Sequence, residues 1–337
     1  MSESGDYTPA PQWKGHGSFD TAYRQYDQHA GRSYDNARAT GATASKLLPE
    51  SIATQSTHPL VIDTDFTGSM IHWDATIVSK FPYLDHEMRT EYLGEDAEIS
   101  FGAIADTGDE YTLQVRPFAK GPEMKEKMDE LVHAGGGKGP GVRCEAHGVA
   151  ALYRLHNTHV PRSLIKPIYI IITDEMPYHL VSKDDAMEKA KVDVEGDMKA
   201  NEIYRQLMGK YSAYVILKPY FSDNLSNDVM SSDTAEVYGC WKGIVGAERI
   251  ALLPDPNRVV DVIFGILAKE SGMIGYFRNE LEGRQLPDKN GRQKVDTVYR
   301  SLATIHALSG PRDPKDGRNG NSMTTGLGGG KPRKPLA

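Results

Sequence analysis

The run Pro167–Thr173, PIYIIIT, constrains the fold more than any other stretch of this chain. Successive side chains of a strand point to opposite faces, so an unbroken apolar run is stable only when both faces are covered. The run stops at the polar turn Asp174-Glu175-Met176-Pro177. A shorter apolar run, Leu60-Val61-Ile62, has the same form. It breaks into Asp63, Asp65, Thr67, Gly68 and Ser69, and a segment of helical character extends from Met70 to about Tyr92. Strand, polar turn, helix is how an open α/β sheet presents chemistry at the carboxyl end of a central strand.

The remaining pattern extends this reading. Ala97–Ala105 is a second apolar strand, and the alternating Tyr111–Phe118 follows it across TGDE as a hairpin partner, with Pro117 suited to an edge. Amphipathic helices are expected over Glu123–Ala134, Glu145–His156, Met198–Met208 and Ala235–Val245. Strands are expected at Ala213–Leu217 and Arg249–Leu253, then one long helix from about Asn257 to Glu282 and a last amphipathic stretch, Val295–Leu308. Pro82 predicts a kink or a division of the first helix. The order predicts an α/β fold that is doubly wound. Its sheet is mostly parallel and six-stranded, with one antiparallel edge strand and helices on both faces.

This places one domain over residues 57–308, including a C-terminal helical extension. Residues 1–56 read as a polar, partly ordered arm in which Phe19, Tyr23 and Tyr26 mark a short helix, and 309–337 as a disordered Gly-, Pro- and Lys/Arg-rich tail. A formal net charge of −7, with no basic stripe interleaved with aromatics, argues against a nucleic-acid binder. No apolar run approaches the roughly 18–20 residues of a membrane span. Cys144 and Cys240 make no disulfide framework, and MSESGDYTPAPQWKGHG lacks a signal-peptide pattern, so a cytoplasmic location is expected.

Asp65, Thr67 and Ser69 stand two apart on the first turn. That spacing lets one carboxylate and two hydroxyls point into one small volume, as a hard cation such as Mg²⁺ requires. The plainer reading is a helix cap, with a hydroxyl accepting from backbone amides and Asp65 complementing the helix dipole. Asp174 weighs against it. If the two apolar strands are neighbours, Asp174 ends level with the Asp65 turn, and converging carboxylates are costly unless a cation or strong donors neutralise them.

DFTGSM and IIITDEMP resemble the von Willebrand factor A domain and its metal-ion-dependent adhesion site, a likeness covering roughly residues 58–285. Asp65, Thr67 and Ser69 match the D-x-S/T-x-S turn, and Asp174 matches the aspartate after the fourth strand. The resemblance implies that these residues hold Mg²⁺, or Mn²⁺ or Ca²⁺ in its place, and that an Asp or Glu of a protein partner completes the coordination. It implies no chemistry on a substrate, and partners such as an AAA+ ATPase or a multi-protein assembly. The family's second-loop threonine falls within GGGKGPG, near Gly139, where no hydroxyl stands. Glu145 or a water is the candidate substitute, and Lys138 lies beside the position.

Two other readings stay open. Asp63-Thr64-Asp65-Phe66-Thr67 also resembles the first motif of haloacid-dehalogenase-type phosphatases, with Asp63 as nucleophile, Asp65 as acid/base and Thr173 as the later hydroxyl. Against it, Gly68 stands where an aliphatic is expected, and no later lysine precedes a strand ending in paired aspartates. The third reading is a structural scaffold whose metal site is empty. His133, His147, His156 and His159 do not fall on one helical zinc-binding face.

Overall fold

The computed structural model describes residues 47–133, 143–161, 166–220 and 230–306. The central sheet consists of β1 (Leu60–Asp65), β2 (Ile99–Ile104), β3 (Leu113–Val115), β4 (Ile168–Thr173), β5 (Ser212–Leu217) and β6 (Ile250–Leu252). Their spatial order is β6-β5-β4-β1-β2-β3. All neighbours are parallel except β2 and β3. The mostly parallel six-stranded sheet with an antiparallel edge strand is therefore present, and helices surround it.

Strand alternation divides the core in two. Leu60, Ile62, Ile168, Ile170, Ile172 and Ile216 pack on one side with helices α1 (Ile71–Glu87) and α2 (Gly121–Asp129). Val61, Tyr169, Ile171, Ala213 and Val215 pack on the other with α3 (His147–His156), α4 (Lys183–Ala190), α5 (Ala200–Lys210) and α6 (Ser232–Val245). The buried positions of α5, Ile203, Tyr204 and Leu207, fit helical spacing. Ser182 and Ser231 cap α4 and α6 by accepting from Asp185 N and Thr234 N.

Two helix expectations are corrected. The first helix is not divided at Pro82 but continues through it to Glu87, where a π turn over Met88–Tyr92 follows. Phe81, Pro82, Tyr83 and Leu84 are all buried, so packing on both flanks holds the turn that the missing proline N–H weakens. The long helix expected from Asn257 to Glu282 is two helices, α7 (Val259–Ser271) and α8 (Ile274–Gln285). Gly272 separates them at φ +73°, a left-handed conformation open to glycine that ends a helix. The last amphipathic stretch forms α9 (Gly291–Ser301), docked through Val295, Val298 and Tyr299.

Of the residues drawn into the arm, Leu48 and Ile52 also belong to this core, and Leu47 packs in a small separate cluster with Tyr111 and Val132. Leu47, Leu48 and Ile52 are buried, and Ile52–Ala53 pairs in parallel with Thr158–His159. The short helix expected around Phe19, the GGGKGPG loop with Lys138 and Gly139, and the basic tail lie outside the described residues. Among the described residues no helix is long and apolar enough to cross a membrane.

At the centre of the sheet lies a charge that no periodicity argument anticipates. Asp63, mid-strand in β1, is fully buried and meets Arg154 of α3, whose Nε lies 3.0 Å from Asp63 Oδ2. Tyr169 OH donates to the same oxygen at 2.8 Å, and Arg154 Nη1 donates to Ser100 Oγ at 2.8 Å. Gly102 stands opposite Asp63 in β2, and a Cβ there would come within 2.1 Å of Asp63 Oδ1. Glycine is required here to leave room for the ion pair.

Candidate functional site

The register of the central strands builds the site. Thr64 pairs with Ile172, which places Asp65 and Thr173 level at the carboxyl ends of β1 and β4. The chain leaves β1 for β2 on one side, while β4 flanks the other, so the crevice sits where the strand order reverses. Neighbouring β1 and β4 were the condition under which Asp174 joins the Asp65 turn, and the condition is met.

All four residues singled out from the sequence come together. Asp65 Oδ1 accepts from Thr67 N at 3.1 Å and from Thr67 Oγ1 at 2.7 Å. Ser69 Oγ donates to Asp174 Oδ1 across the crevice at 3.0 Å. Asp65, Thr67 and Asp174 are buried, whereas Gly68 and Ser69 are exposed, so the site opens to solvent beside Ser69. Neither Thr67 nor Ser69 makes a side-chain cap to the helix after the turn. The plain capping role is thus not what these hydroxyls do.

Further groups line the same edge. Thr173 Oγ1 donates to Asp65 Oδ2 at 3.3 Å and lies 3.0 Å from His147 Nε2. Asp74 of α1 is fully buried, accepts from Thr64 Oγ1 at 3.2 Å and lies 3.5 Å from His133 Nε2. Glu145 is 7 % exposed, and its Oε2 has no hydrogen-bond partner among the described residues. Lys218, the residue after β5, places Nζ 2.7 Å from Asp174 Oδ2 and 2.7 Å from the Ser69 carbonyl.

The electrostatics reflect burial without enough positive charge. Burial, then Asp174, then Asp74 push the Asp65 carboxyl well above the usual range, opposed by the Thr67 hydrogen bonds. Burial raises Glu145 to about 10, with Asp65 and Asp106 adding to it. Burial likewise raises Glu175 to about 7. Cys144 is pushed up to about 11, again chiefly by burial, which leaves it a poor nucleophile at neutral pH. No basic side chain is among the hydrogen-bond partners of Asp65 in the described residues.

The donor set is of the kind a hard divalent cation takes: the carboxylates of Asp65 and Asp174 and the hydroxyls of Thr67 and Ser69. Glu145, whose Oε2 has no hydrogen-bond partner among the described residues, feels the charge of Asp65. Among the described residues, no three His, Cys, Asp or Glu side chains form a metal-binding group. A site here therefore depends on the hydroxyls of Thr67 and Ser69 as ligands. Asp63, the nucleophile of the phosphatase reading, does not reach the crevice. Arg154 and Tyr169 hold it beneath the sheet's edge.

Sequence reasoning passed over Lys218, and weighed His147 only as one of four histidines that share no zinc-binding face. Lys218 carried a usable signal, because it comes directly after the apolar run AYVIL and so ends a strand at the same edge as Asp65 and Asp174. His147 carried none.

No known family model matches the chain, and no curated protein matches it in sequence. Solved structures similar to it include the pilus adhesin SpaC of Lactobacillus rhamnosus GG, at 10 % identity and a TM-score of 0.42 over 68 % of this chain. An open conformation of the same adhesin gives 11 % identity and a TM-score of 0.38. The chain spans 31 % of the length of that adhesin.

Proposed function

We propose that this chain is a doubly wound domain of the von Willebrand A type that binds a protein partner through a divalent cation. Asp65, Thr67, Ser69 and Asp174 would hold Mg²⁺, with Mn²⁺ or Ca²⁺ as substitutes. The observation that carries the reading is the convergence of these four side chains from two neighbouring strand ends, with Ser69 reaching Asp174 at 3.0 Å. When bound, the cation supplies a Lewis-acidic position that a partner carboxylate can complete.

The protein's own residues do the rest. Thr67 and Thr173 orient Asp65 from both sides, and the Thr173–Glu175 turn fixes Asp174, with Glu175 N donating to Thr173 Oγ1 at 2.8 Å. Exposure at Ser69 gives a partner's Asp or Glu its approach. On this reading the domain performs no chemistry on a substrate and works in the cytoplasm within a larger assembly, an AAA+ ATPase being one fitting partner. The burial of Asp63 in an ion pair supports this reading over the phosphatase one. One observation favours the scaffold reading: Lys218 already neutralises part of the charge on Asp174.

Calorimetric titration of wild type and Asp65→Ala with Mg²⁺ and Mn²⁺ tests the proposal. Binding by wild type, lost in Asp65→Ala and matched by a metal-dependent rise in melting temperature, is expected. No binding by wild type would overturn the metal bridge and leave the scaffold.

A further inference from the structure

We infer that Lys218 is an internal counter-cation that competes with the divalent ion for Asp174, so that metal occupancy requires its ammonium to swing away. The inference rests on the metal-bridge reading above. Lys218 Nζ and Ser69 Oγ together take both oxygens of the Asp174 carboxylate, at 2.7 and 3.0 Å. The same ammonium also binds the Ser69 carbonyl at 2.7 Å and so clamps the turn that carries the hydroxyl ligands. One positive charge thus ties together two of the four proposed ligand residues.

The geometry lets this charge move without moving the sheet. Lys218 N donates to the Thr173 carbonyl at 2.8 Å, which pins its backbone in line with β5. Its side chain is 23 % exposed, and the four-carbon stem is flexible. A divalent ion placed on Asp174 lies within a few ångströms of the ammonium position. Like-charge repulsion at that separation outweighs what a partly exposed ion pair contributes, so the two cations exclude one another. Without metal, Lys218 offsets the acidic edge formed by Asp65, Asp174 and Glu175. With metal, that role passes to the ion.

The test titrates Mn²⁺ and Mg²⁺ into the metal-free full chain as wild type, Lys218→Met and Lys218→Arg, with melting curves in chelator. Removing the competing charge is expected to tighten Mn²⁺ binding by about tenfold or more in Lys218→Met, while Lys218→Arg stays within about threefold of wild type. The metal-free Lys218→Met protein is expected to melt below wild type, and saturating Mn²⁺ to close the gap. If Lys218→Met does not melt cooperatively, Lys218→Gln, which keeps a hydrogen-bonding tip, carries the same comparison. Equal Mn²⁺ affinity in wild type and the uncharged variants would overturn the competition while leaving the metal site standing. Absence of binding in every variant would overturn both.

Discussion

Replacing Asp63 by Asn removes the charge opposite Arg154 while keeping the shape of the side chain. Both side chains are fully buried, and Arg154 loses its ionised acceptor. Breaking a buried pair by removing one charge costs about 3–5 kcal/mol, because the remaining charge stays desolvated. Against a total stability of about 5–15 kcal/mol for a domain, that loss is large but measurable. Urea unfolding monitored by tryptophan fluorescence is suitable, since Trp73 and Trp241 are both buried. Asp63→Asn should lower the midpoint without changing the slope. A double variant, Asp63→Leu with Arg154→Met, should recover much of the loss, because replacing both charges by apolar groups removes the desolvation penalty. Part of the loss should remain, since Tyr169 OH also loses its acceptor, worth about 1–3 kcal/mol. A loss below about 1 kcal/mol in the single variant would refute the reasoning, as would a double variant as unstable as the sum of its parts.

Other perturbations test separate parts of the structure. Gly102→Ala should destabilise strongly, because its Cβ meets a fixed, ion-paired carboxylate at 2.1 Å. Gly265→Ala should cost much less, since its nearest neighbour at 2.2 Å is the flexible end of Leu302; thermal melts of the two, side by side, check the contrast. Gly291→Ala places a Cβ 1.8 Å from the Gln285 carbonyl oxygen, so it should loosen α9 and raise amide exchange there. His147 is fully buried, and burial lowers its pKa from 6.5 to about 3. Its contribution to stability is therefore fully present above pH 6.5 and lost as pH falls toward 3, by up to a few kcal/mol. Acid unfolding of His147→Gln should show a smaller loss over that window, and an unchanged pH profile would contradict it.

Most of the sheet was legible because burial on both faces writes itself as unbroken apolar runs. Leu60–Ile62 and Pro167–Thr173 located β1 and β4, and the antiparallel β3 was marked by its alternation and by Pro117. The Asp65, Thr67, Ser69 and Asp174 cluster was legible for the same reason, since the end of a buried strand fixes where the next few residues stand. Boundaries set by single residues were harder. Gly272 ends a helix inside a continuous helical pattern, and Pro82 fails to end one, because tertiary packing decides both. The Asp63–Arg154 pair was invisible, as its partners lie 91 residues apart and neither local pattern requires the other. Lys218 was overlooked although its place after a strand was readable.

Asp63 and Asp65 stand two residues apart on one strand, on the same side of it, and both are fully buried. The fold treats them in opposite ways. Asp63 receives an arginine, a tyrosine hydroxyl and a glycine cleared to make room, a complete solution to the cost of a buried charge. Asp65 receives a threonine hydroxyl on each side and a backbone amide, with no basic hydrogen-bond partner among the described residues, while Asp174 and Asp74 add to its burden. Nearby, the Oε2 atoms of Glu145 and Glu175 have no hydrogen-bond partner among the described residues. Satisfying a carboxylate with an internal arginine is evidently within this fold's means. Among the described residues, several acidic groups are left under-compensated at the crevice where the strand order reverses, a local exception of the kind that functional sites make. Hydroxyl donors suit this exception, because they can hold a carboxylate without contributing charge. Among the described residues the positive charge at this edge is the Lys218 ammonium on Asp174, and the divalent ion proposed above would take its place.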